Sequence, residues 1–341
     1  MIVGLGLSGT CLSQTLRKEY NKSVFVVDHD GGKKCSRIAI GTFNPVVFKT
    51  FTHTWKAPEL IPFLKEFYGG MSKNLITDRP VYKSFKSEDQ KRLWHEKSQE
   101  EPFAKFLFQE EVPLLEGVIS PLGFGKVRHS GNLDMIQFLD DFRNILKKEG
   151  ALLEERMNYA ELEILEDEIR YKKVRARKVI FCEGHETLLN PWFSYLPFKE
   201  TKGEVLIIRV EGWKPGGIVH NGINIVPMSD GLYWVGSTFD WDDKSLETTE
   251  SARKKLIDQL AGTINVPYEI VEQKAGIRPT VKDRRPILGQ HPREKLLHVF
   301  NGMGTRGVML APYFAKEMAE YLENGKVPEK EVDINRFNEQ G

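Results

Sequence analysis

The sequence predicts an α/β chain, α+β overall, in which βα units at the two ends bracket antiparallel segments in the middle. Three observations predict it. Met1-Ile2-Val3 runs into Gly4-Leu5-Gly6-Leu7-Ser8-Gly9, a helix-like stretch Thr10 to Glu19, the β-branched run Val24 to Val27, and Asp28. Near the other end, Leu296 to Phe300 leads through Asn301-Gly302-Met303-Gly304-Thr305-Arg306-Gly307 into a second helix, Val308 to Leu322, closed by Gly325. Between them, Glu204 to Val210 and Gly231 to Gly236 alternate as half-buried antiparallel strands do. One domain must therefore be discontinuous.

The first segment reads strand, tight glycine turn, helix, strand, acid, and each part has a task in binding a dinucleotide. Gly4 permits the turn, Gly6 lets a pyrophosphate approach the backbone, and Gly9 lets the helix pack on the strand. The helix N-terminus offers N–H groups and partial positive charge to phosphates. Asp28 stands where an acid accepts hydrogen bonds from a ribose. The first strand has only three residues before Gly4, shorter than usual, as an alternative start or a truncated chain would give.

A Gly/Lys-rich loop follows Asp28, then the small-residue segment Cys35 to Pro45. Glu59 to Phe67 and Ser87 to Glu96 read as helices and Tyr82 to Phe85 as a strand. Val118 to Pro121 and Gly125 to His129 read as strands joined by a glycine turn. Asn132 is expected to cap an amphipathic helix in which Met135, Phe138, Leu139, Phe142 and Leu146 recur at helical spacing and which Gly150 ends. Short strands are expected at Leu152 to Glu154, Tyr159 to Leu165 and Ile169 to Lys172. Lys178 to Gly184 reads as a buried parallel strand ending in glycine. Thr248 to Ala261 reads as a helix. Gly276-Ile277-Arg278-Pro279 then leads into Asp283 to Gly289. A terminal strand–glycine loop–helix returning to meet the first would bring a second helix N-terminus to the ligand.

At 341 residues the chain fits two domains. Its net charge of +1 gives no global field for nucleic acid or acidic membranes. No apolar run reaches membrane-span length, and no signal peptide is expected, since the sequence opens inside a strand. Cys11, Cys35 and Cys182 lack metal spacing and read as reduced thiols in a cytoplasm. No Ser-His-Asp set, metal cluster or Walker loop is visible. Nothing marks Cys35 as a covalent anchor, and His53 reads as a packed or surface histidine.

Gly4 to Asp28, the Ser36-Arg37…Gly41 loop, Lys178 to Gly184, Gly276 to Pro279, Asp283 to Gly289 and Gly302 to Pro312 occur in this order. Together they resemble the FAD-dependent D-amino-acid oxidase superfamily, in particular glycine oxidases and the flavin domain of the bifunctional tRNA wobble-uridine modification enzyme. The paired motifs Gly-Ile-Arg-Pro and Asn-Gly-x-Gly-x-x-Gly-Val-x-x-Ala-Pro are more specific than the first glycines, and an NAD-dependent dehydrogenase has no need of the second. The resemblance implies a glutathione-reductase-type FAD-binding Rossmann domain over 1–75, 125–200 and 275–341. It implies an antiparallel-sheet substrate domain over 76–124 and 201–274.

It also implies roles residue by residue. Gly4, Gly6, Ser8, Gly9 and Asp28 would hold the ADP half of FAD, with Ser36 and Arg37 along the pyrophosphate. Gly41 and Thr42 would approach the flavin ring, Tyr159 the adenine, and Gly184 the pyrophosphate or ribityl chain. Gly302, Gly304, Thr305, Arg306 and Gly307 would face the pyrimidine edge, where helix-terminal N–H groups stabilise negative charge. Arg278 would clamp a substrate carboxylate through two parallel hydrogen bonds; an internal ion pair is the alternative. Arg284 and Arg285 read as structural or surface residues. Lys49 is a candidate for the substrate side, where a cation would assist oxygen activation.

Two departures bear on the substrate. Glycine oxidases carry an aromatic residue before the Ile-Val-Pro segment, where this chain has Asn224, and an arginine at the position of Thr305, where this chain has its arginine one place later. The first opens and polarises the pocket. The implied reaction is oxidation of an amine or N-substituted amino acid at its C–N bond, by hydride transfer to flavin N5, with oxygen as the expected acceptor. Two alternatives stand beside it. One is oxidation of a carboxymethylaminomethyl group on a tRNA wobble uridine, which the near-neutral charge disfavours. The other is flavin binding without turnover. A cytoplasmic location and no membrane partner are expected.

Overall fold

A computed structural model of the protein describes residues 1–29, 34–72, 74–110 and 112–340. The chain divides into two compact units, one of residues 1–37, 135–201 and 277–341, the other of residues 38–134 and 202–276.

The first unit holds a six-stranded sheet in the order Leu152–Leu153, Val26–Val27, Ile2–Val3, Val179–Phe181, Leu297–Asn301, Ile287–Gln290. The first five strands are parallel and the last is antiparallel. Strand order reverses direction at Ile2–Val3, the kind of switch point where ligands bind beyond the strand ends. The strands are short, and Ile2–Val3, Val26–Val27 and Val179–Phe181 are apolar runs buried throughout, as covered parallel strands require; the edge strand Leu152–Leu153 is half-buried. Helices Leu7–Tyr20 and Gly307–Asn324 pack against each other. The Met135–Lys148 helix buries Met135, Phe138, Leu139, Phe142 and Leu146, the stripe expected from their spacing. An antiparallel sheet of Leu162–Ile164, Ile169–Tyr171 and Val174–Ala176 joins the core around Phe181, Phe193 and Val299.

The second unit is built on a seven-stranded sheet in the order Glu269–Arg278, Thr201–Arg209, Leu232–Gly236, Asn224–Pro227, Ile218–His220, Val81–Ser84, Phe124–Val127. Ile218–His220 and Val81–Ser84 run parallel, with His220 opposite Lys83, while His220 also lies opposite Asn224 on its other side. The Glu250–Ala261 helix, capped by Thr249 accepting from the Ala252 N–H at 3.2 Å, packs Leu256 and Leu260 against Leu206, Ile208, Val219 and Val235. Ser87 caps the Glu88–Gln99 helix through the Gln90 N–H at 3.3 Å.

Several expectations need correction. Residues 38–75 and 125–134, read as part of the first domain, belong to the second unit. The reason is strand pairing: Thr42–Phe43 and Ile76–Asp78 both pair with Gly131–Leu133. Asn132 sits in that central strand, opposite Thr42 and Thr77, so it does not cap the helix, which begins at Met135. Val118 to Pro121 forms no strand; Val118 makes one isolated bridge to Ile264 beside Gly117, whose φ is +75°. Tyr159 opens a 3-10 turn and strand begins only at Leu162. Most of the Gly/Lys loop after Asp28, residues 30–33, lies outside the described residues.

Candidate functional site

The Gly4–Gly9 turn is closed too tightly for side chains. A Cβ on Gly4, at φ +96°, would lie 2.5 Å from the Cys182 carbonyl oxygen, and one on Gly9 would lie 1.9 Å from the Gly4 carbonyl oxygen. Both contacts are below any real Cβ separation, so glycine is required for helix and strand to meet. A Cβ on Gly6 would meet the Ser36 hydroxyl at 3.2 Å, and that hydroxyl accepts from the Leu7 N–H at 3.1 Å. Neither the Leu7–Tyr20 nor the Gly307–Asn324 helix has a side-chain N-cap or an acid in its first turn. Both N-termini therefore keep the partial positive charge that draws anions. They also meet: a Cβ on Gly307 would lie 2.8 Å from Leu7 Cδ2.

Asp28 is buried at 4% exposure. Its Oδ1 accepts from the Leu5 N–H at 2.8 Å and from Lys34 Nζ at 2.5 Å, and its Oδ2 accepts from Arg143. A carboxylate has about four acceptor positions, so one remains for a ribose hydroxyl. Arg143 also pairs with Glu154 at 2.7 Å. The Arg37 guanidinium, expected along a pyrophosphate, donates to Asp140 at 2.6 Å.

The second glycine loop is held by Asn301. Its amide nitrogen donates to the Gly184 carbonyl at 2.8 Å and to Thr187 at 2.5 Å, while its oxygen accepts from the Gly302 N–H at 2.8 Å. One buried side chain thus ties the Gly184 turn to the Gly302 turn. Gly184 has φ +60°, and a Cβ there would meet open space. A Cβ on Gly302 would strike Val281 at 2.6 Å. Thr305 is exposed and Ser8 buried. Burial first, then Arg284 and Arg285, lowers the pKa of Arg306.

Glu183 precedes Gly184. It accepts from the Tyr159 hydroxyl at 2.7 Å and from Asn190 Nδ2 at 2.8 Å. Burial outweighs both hydrogen bonds and raises its carboxyl to about 7. The same burial and the Glu183 charge raise the Tyr159 hydroxyl.

Arg278 ends the Glu269–Arg278 strand at 9% exposure. Burial lowers its pKa, and the Cys35 thiol acts on it electrostatically. Cys35 adjoins Ser36, so Arg278 reaches the neighbourhood of the glycine turn.

In the second unit, Thr42, Phe43, Asn44, Phe48, Val81, Ile218, His220 and Asn224 line a cavity of about 90 Å³. Asn224 Oδ1 lies 2.8 Å from His220 Nδ1. Because a carbonyl oxygen only accepts, Nδ1 carries the proton. Burial drives the His220 pKa down to about 4, so the ring is neutral, and it lies against Phe48, the two rings tilted by 31° with centroids 4.5 Å apart. Gly41 has φ +75°, and its carbonyl accepts from the Leu133 N–H at 3.0 Å. Lys49 is exposed, in the turn between Val46–Val47 and Thr52–His53.

A family model described as FAD dependent oxidoreductase, of the DAO type, matches residues 1–321. The chain belongs to this family. The glycine oxidase of Bacillus subtilis is 30% identical over 114 residues, covering 32% of this chain and 30% of the relative. The tRNA 5-methylaminomethyl-2-thiouridine biosynthesis bifunctional protein of Saccharophagus degradans is 23% identical over 234 residues, covering 64% of this chain and 32% of the relative. The matched region thus spans about a third of the length of these curated relatives. Among solved structures, the iminodiacetate oxidase of Chelativorans sp. BNC1 superposes with TM-score 0.76 at 17% identity, covering 98% of this chain and 97% of that one. The L-proline dehydrogenase of P. horikoshii superposes with TM-score 0.80 at 16% identity, covering 99% and 97%. These likenesses show the fold.

The first unit of this FAD-dependent oxidoreductase fits the family's cofactor. Two helix N-termini without side-chain caps meet beside the glycine turn, and Asp28 keeps an acceptor position. The structure gathers Gly4, Gly6, Ser8, Gly9, Asp28, Ser36, Tyr159, Gly184, Gly302, Gly304, Arg306 and Gly307 in that unit, and Thr42 and Asn224 around the cavity of the other. Sequence reasoning missed Lys34, Arg143, Glu183 and His220. One had a signal: Glu183 is a charge closing an apolar strand. No helix among the described residues is long and apolar enough to cross a membrane.

Proposed function

We propose that the chain oxidises the C–N bond of an N-substituted amino acid, with Arg278 holding the substrate carboxylate. The observation that carries the reading is the buried Arg278 guanidinium beside the Cys35–Ser36 end of the glycine-turn unit. A buried cation at that place is suited to a carboxylate, which a planar guanidinium fixes in position and rotation. FAD, when bound, supplies the acceptor for the hydride leaving the substrate carbon. The chain's residues bind and orient. The Gly4–Gly9 turn, Asp28 and the two helix N-termini hold the dinucleotide, and Arg278 fixes the carboxylate so that the reacting carbon is presented in one geometry, an orientation contribution. The amine reacts uncharged, and water hydrolyses the resulting imine. The glycine oxidase relative supports the reaction class. Asn224, in place of an aromatic side chain, supports a substrate larger than glycine. Peroxide release is measured with glycine, sarcosine and bulkier N-alkyl glycines. Turnover of the bulkier ones is expected, and no turnover of any would retire the reading.

A second reading, oxidation of an N-linked acetate arm on a tRNA wobble uridine, is favoured by the relative that covers 64% of the chain. Arg278 would serve that arm equally, because it too is an N-substituted glycine. Salt-dependent binding of bulk tRNA tests it, and absence of binding at low salt would exclude it.

A further inference from the structure

Arg143 is a buried guanidinium on the Met135–Lys148 helix, whose other buried side chains are all apolar. It is 5% exposed. An arginine is almost never buried unless its donors are paired. Here both terminal nitrogens are: one donates to Glu154 Oε1 at 2.7 Å, the other to Asp28 Oδ2. The two carboxylates end neighbouring strands. Asp28 follows Val26–Val27 and Glu154 follows Leu152–Leu153, which run parallel, and the Asp28 N–H donates to the Leu153 carbonyl at 3.0 Å. Lys147, one helical turn after Arg143, also pairs with Glu154 at 3.0 Å.

The contacts of Asp28 show which acceptor this arrangement governs. Each carboxylate oxygen offers two acceptor positions. Oδ1 uses both, on the Leu5 N–H and on Lys34 Nζ. Oδ2 uses one, on Arg143. The open position is therefore on the oxygen that Arg143 holds. The terminal torsion of an aspartate is broad, so only its partners fix the plane of the carboxyl. On the Oδ2 side that partner is Arg143 alone. A planar, rigid fork anchored at one prong aims the other, and Glu154 with Lys147 is that anchor. The chain thus spends a buried ion pair on the direction of one lone pair.

We propose that Arg143 is a positioning residue of the cofactor site: it fixes Asp28 Oδ2 so that the open acceptor position of the carboxylate serves the 2′-hydroxyl of the FAD adenosine ribose. Arg143 itself acts through Asp28, and all the residues involved lie in the first unit. The role rests on Asp28 receiving that ribose. It is independent of which amine the chain oxidises, and the experiment separates the role of Arg143 from the assignment of Asp28.

The test titrates full-length, flavin-stripped protein with FAD and with its 2′-deoxyadenosine analogue, following the change in flavin fluorescence on binding. The quantity read is the ratio of the two Kd values. Wild type is expected to bind FAD about tenfold or more tightly than the analogue, as a hydrogen bond to a charged partner allows. Arg143→Met should bring the ratio close to one, with FAD weakened far more than the analogue. Arg143→Lys should give an intermediate ratio, because a point charge cannot hold Asp28 and Glu154 in one fixed plane. A brace that served the fold alone would weaken both flavins equally. A wild-type ratio that survives Arg143→Met, even with both affinities reduced, would therefore overturn the proposal. Equal binding of the two flavins by wild type would also overturn it, and the assignment of Asp28 to the ribose with it. If Arg143→Met does not fold, Arg143→Lys decides, and a ratio unchanged from wild type in that variant removes the role.

Discussion

Glu183→Gln isolates one buried carboxyl beside the Gly184 turn. In the folded protein burial holds Glu183 near 7, against an ordinary value of 4.5. Between those values the native state keeps a proton that the unfolded chain releases. Stability therefore falls as pH rises from about 4.5 to about 7 and stays lower above that. At about 1.4 kcal/mol per pH unit, the gap sets a ceiling of ~3.5 kcal/mol. Glu183 keeps partial solvent contact, so screening reduces the expectation to about 1–2 kcal/mol.

Glutamine can occupy the site without a stranded donor. The Asn190 amide is locked, because its oxygen accepts from the Trp192 and Phe193 N–H groups at 2.9 and 3.2 Å. Its nitrogen must therefore donate to residue 183. A glutamine oxygen accepts that bond, and its nitrogen donates to the Tyr159 hydroxyl, which rotates to accept. Urea unfolding midpoints of wild type and Glu183→Gln are compared from pH 5 to 8.5. Equal stability near pH 5 and an advantage of about 1–2 kcal/mol for the variant at pH 8 are expected. A difference that does not change with pH, or one that favours wild type at high pH, would refute the burial argument.

Asp28→Ala should weaken FAD retention by about 1–3 kcal/mol, the cost of stranding buried partners; a fluorescence titration of released flavin measures it, and an unchanged Kd removes Asp28 from the cofactor site. Arg278→Ala should raise KM for a carboxylate-bearing amine by the equivalent of about 2–5 kcal/mol while leaving FAD bound, and Arg278→Lys should recover only part because a point charge lacks the fork. Unchanged kinetics in Arg278→Ala would retire the clamp. Asn224→Tyr should move preference toward glycine and sarcosine by roughly 1–3 kcal/mol, read as a ratio of kcat/KM values. Wild type that already prefers glycine would count against the role given to Asn224.

The parts of the fold that could be read in advance are those whose physics is local. The Gly4–Gly9 turn, the apolar stripe from Met135 to Leu146 and the terminal glycine loop each constrain their own backbone, through steric exclusion of a Cβ or through helical periodicity. The observed contacts of Gly4, Gly9 and Gly307 are of that kind. Where sheet pairing overrides local signals, the reading failed. Asn132 has the chemistry of a cap and precedes an amphipathic helix, yet two strands 35 residues apart, Thr42–Phe43 and Ile76–Asp78, claim it from either side. The same pairing moved residues 38–75 into the second unit. Local propensity is a weak prior when a residue can complete a sheet.

The site shows the same division. A glycine reports its function through what it lacks, so a spacing pattern finds it. Charges report theirs only through partners, and those are remote: Arg143 reaches Asp28 across 115 positions, and Lys83 comes opposite His220 only because a parallel pair places strands Val81–Ser84 and Ile218–His220 side by side. Seen alone, Lys83 is one lysine in a short strand and His220 one histidine at the end of another. Paired across the sheet they set a neutral histidine beside a buried lysine. Asn224 was legible as a departure from an aromatic residue, which suggests only more room. Its pairing with His220 adds a neutral imidazole hydrogen-bonded to the amide on the same cavity wall. Asn224→Tyr would remove both that room and the acceptor of the His220 Nδ1 proton.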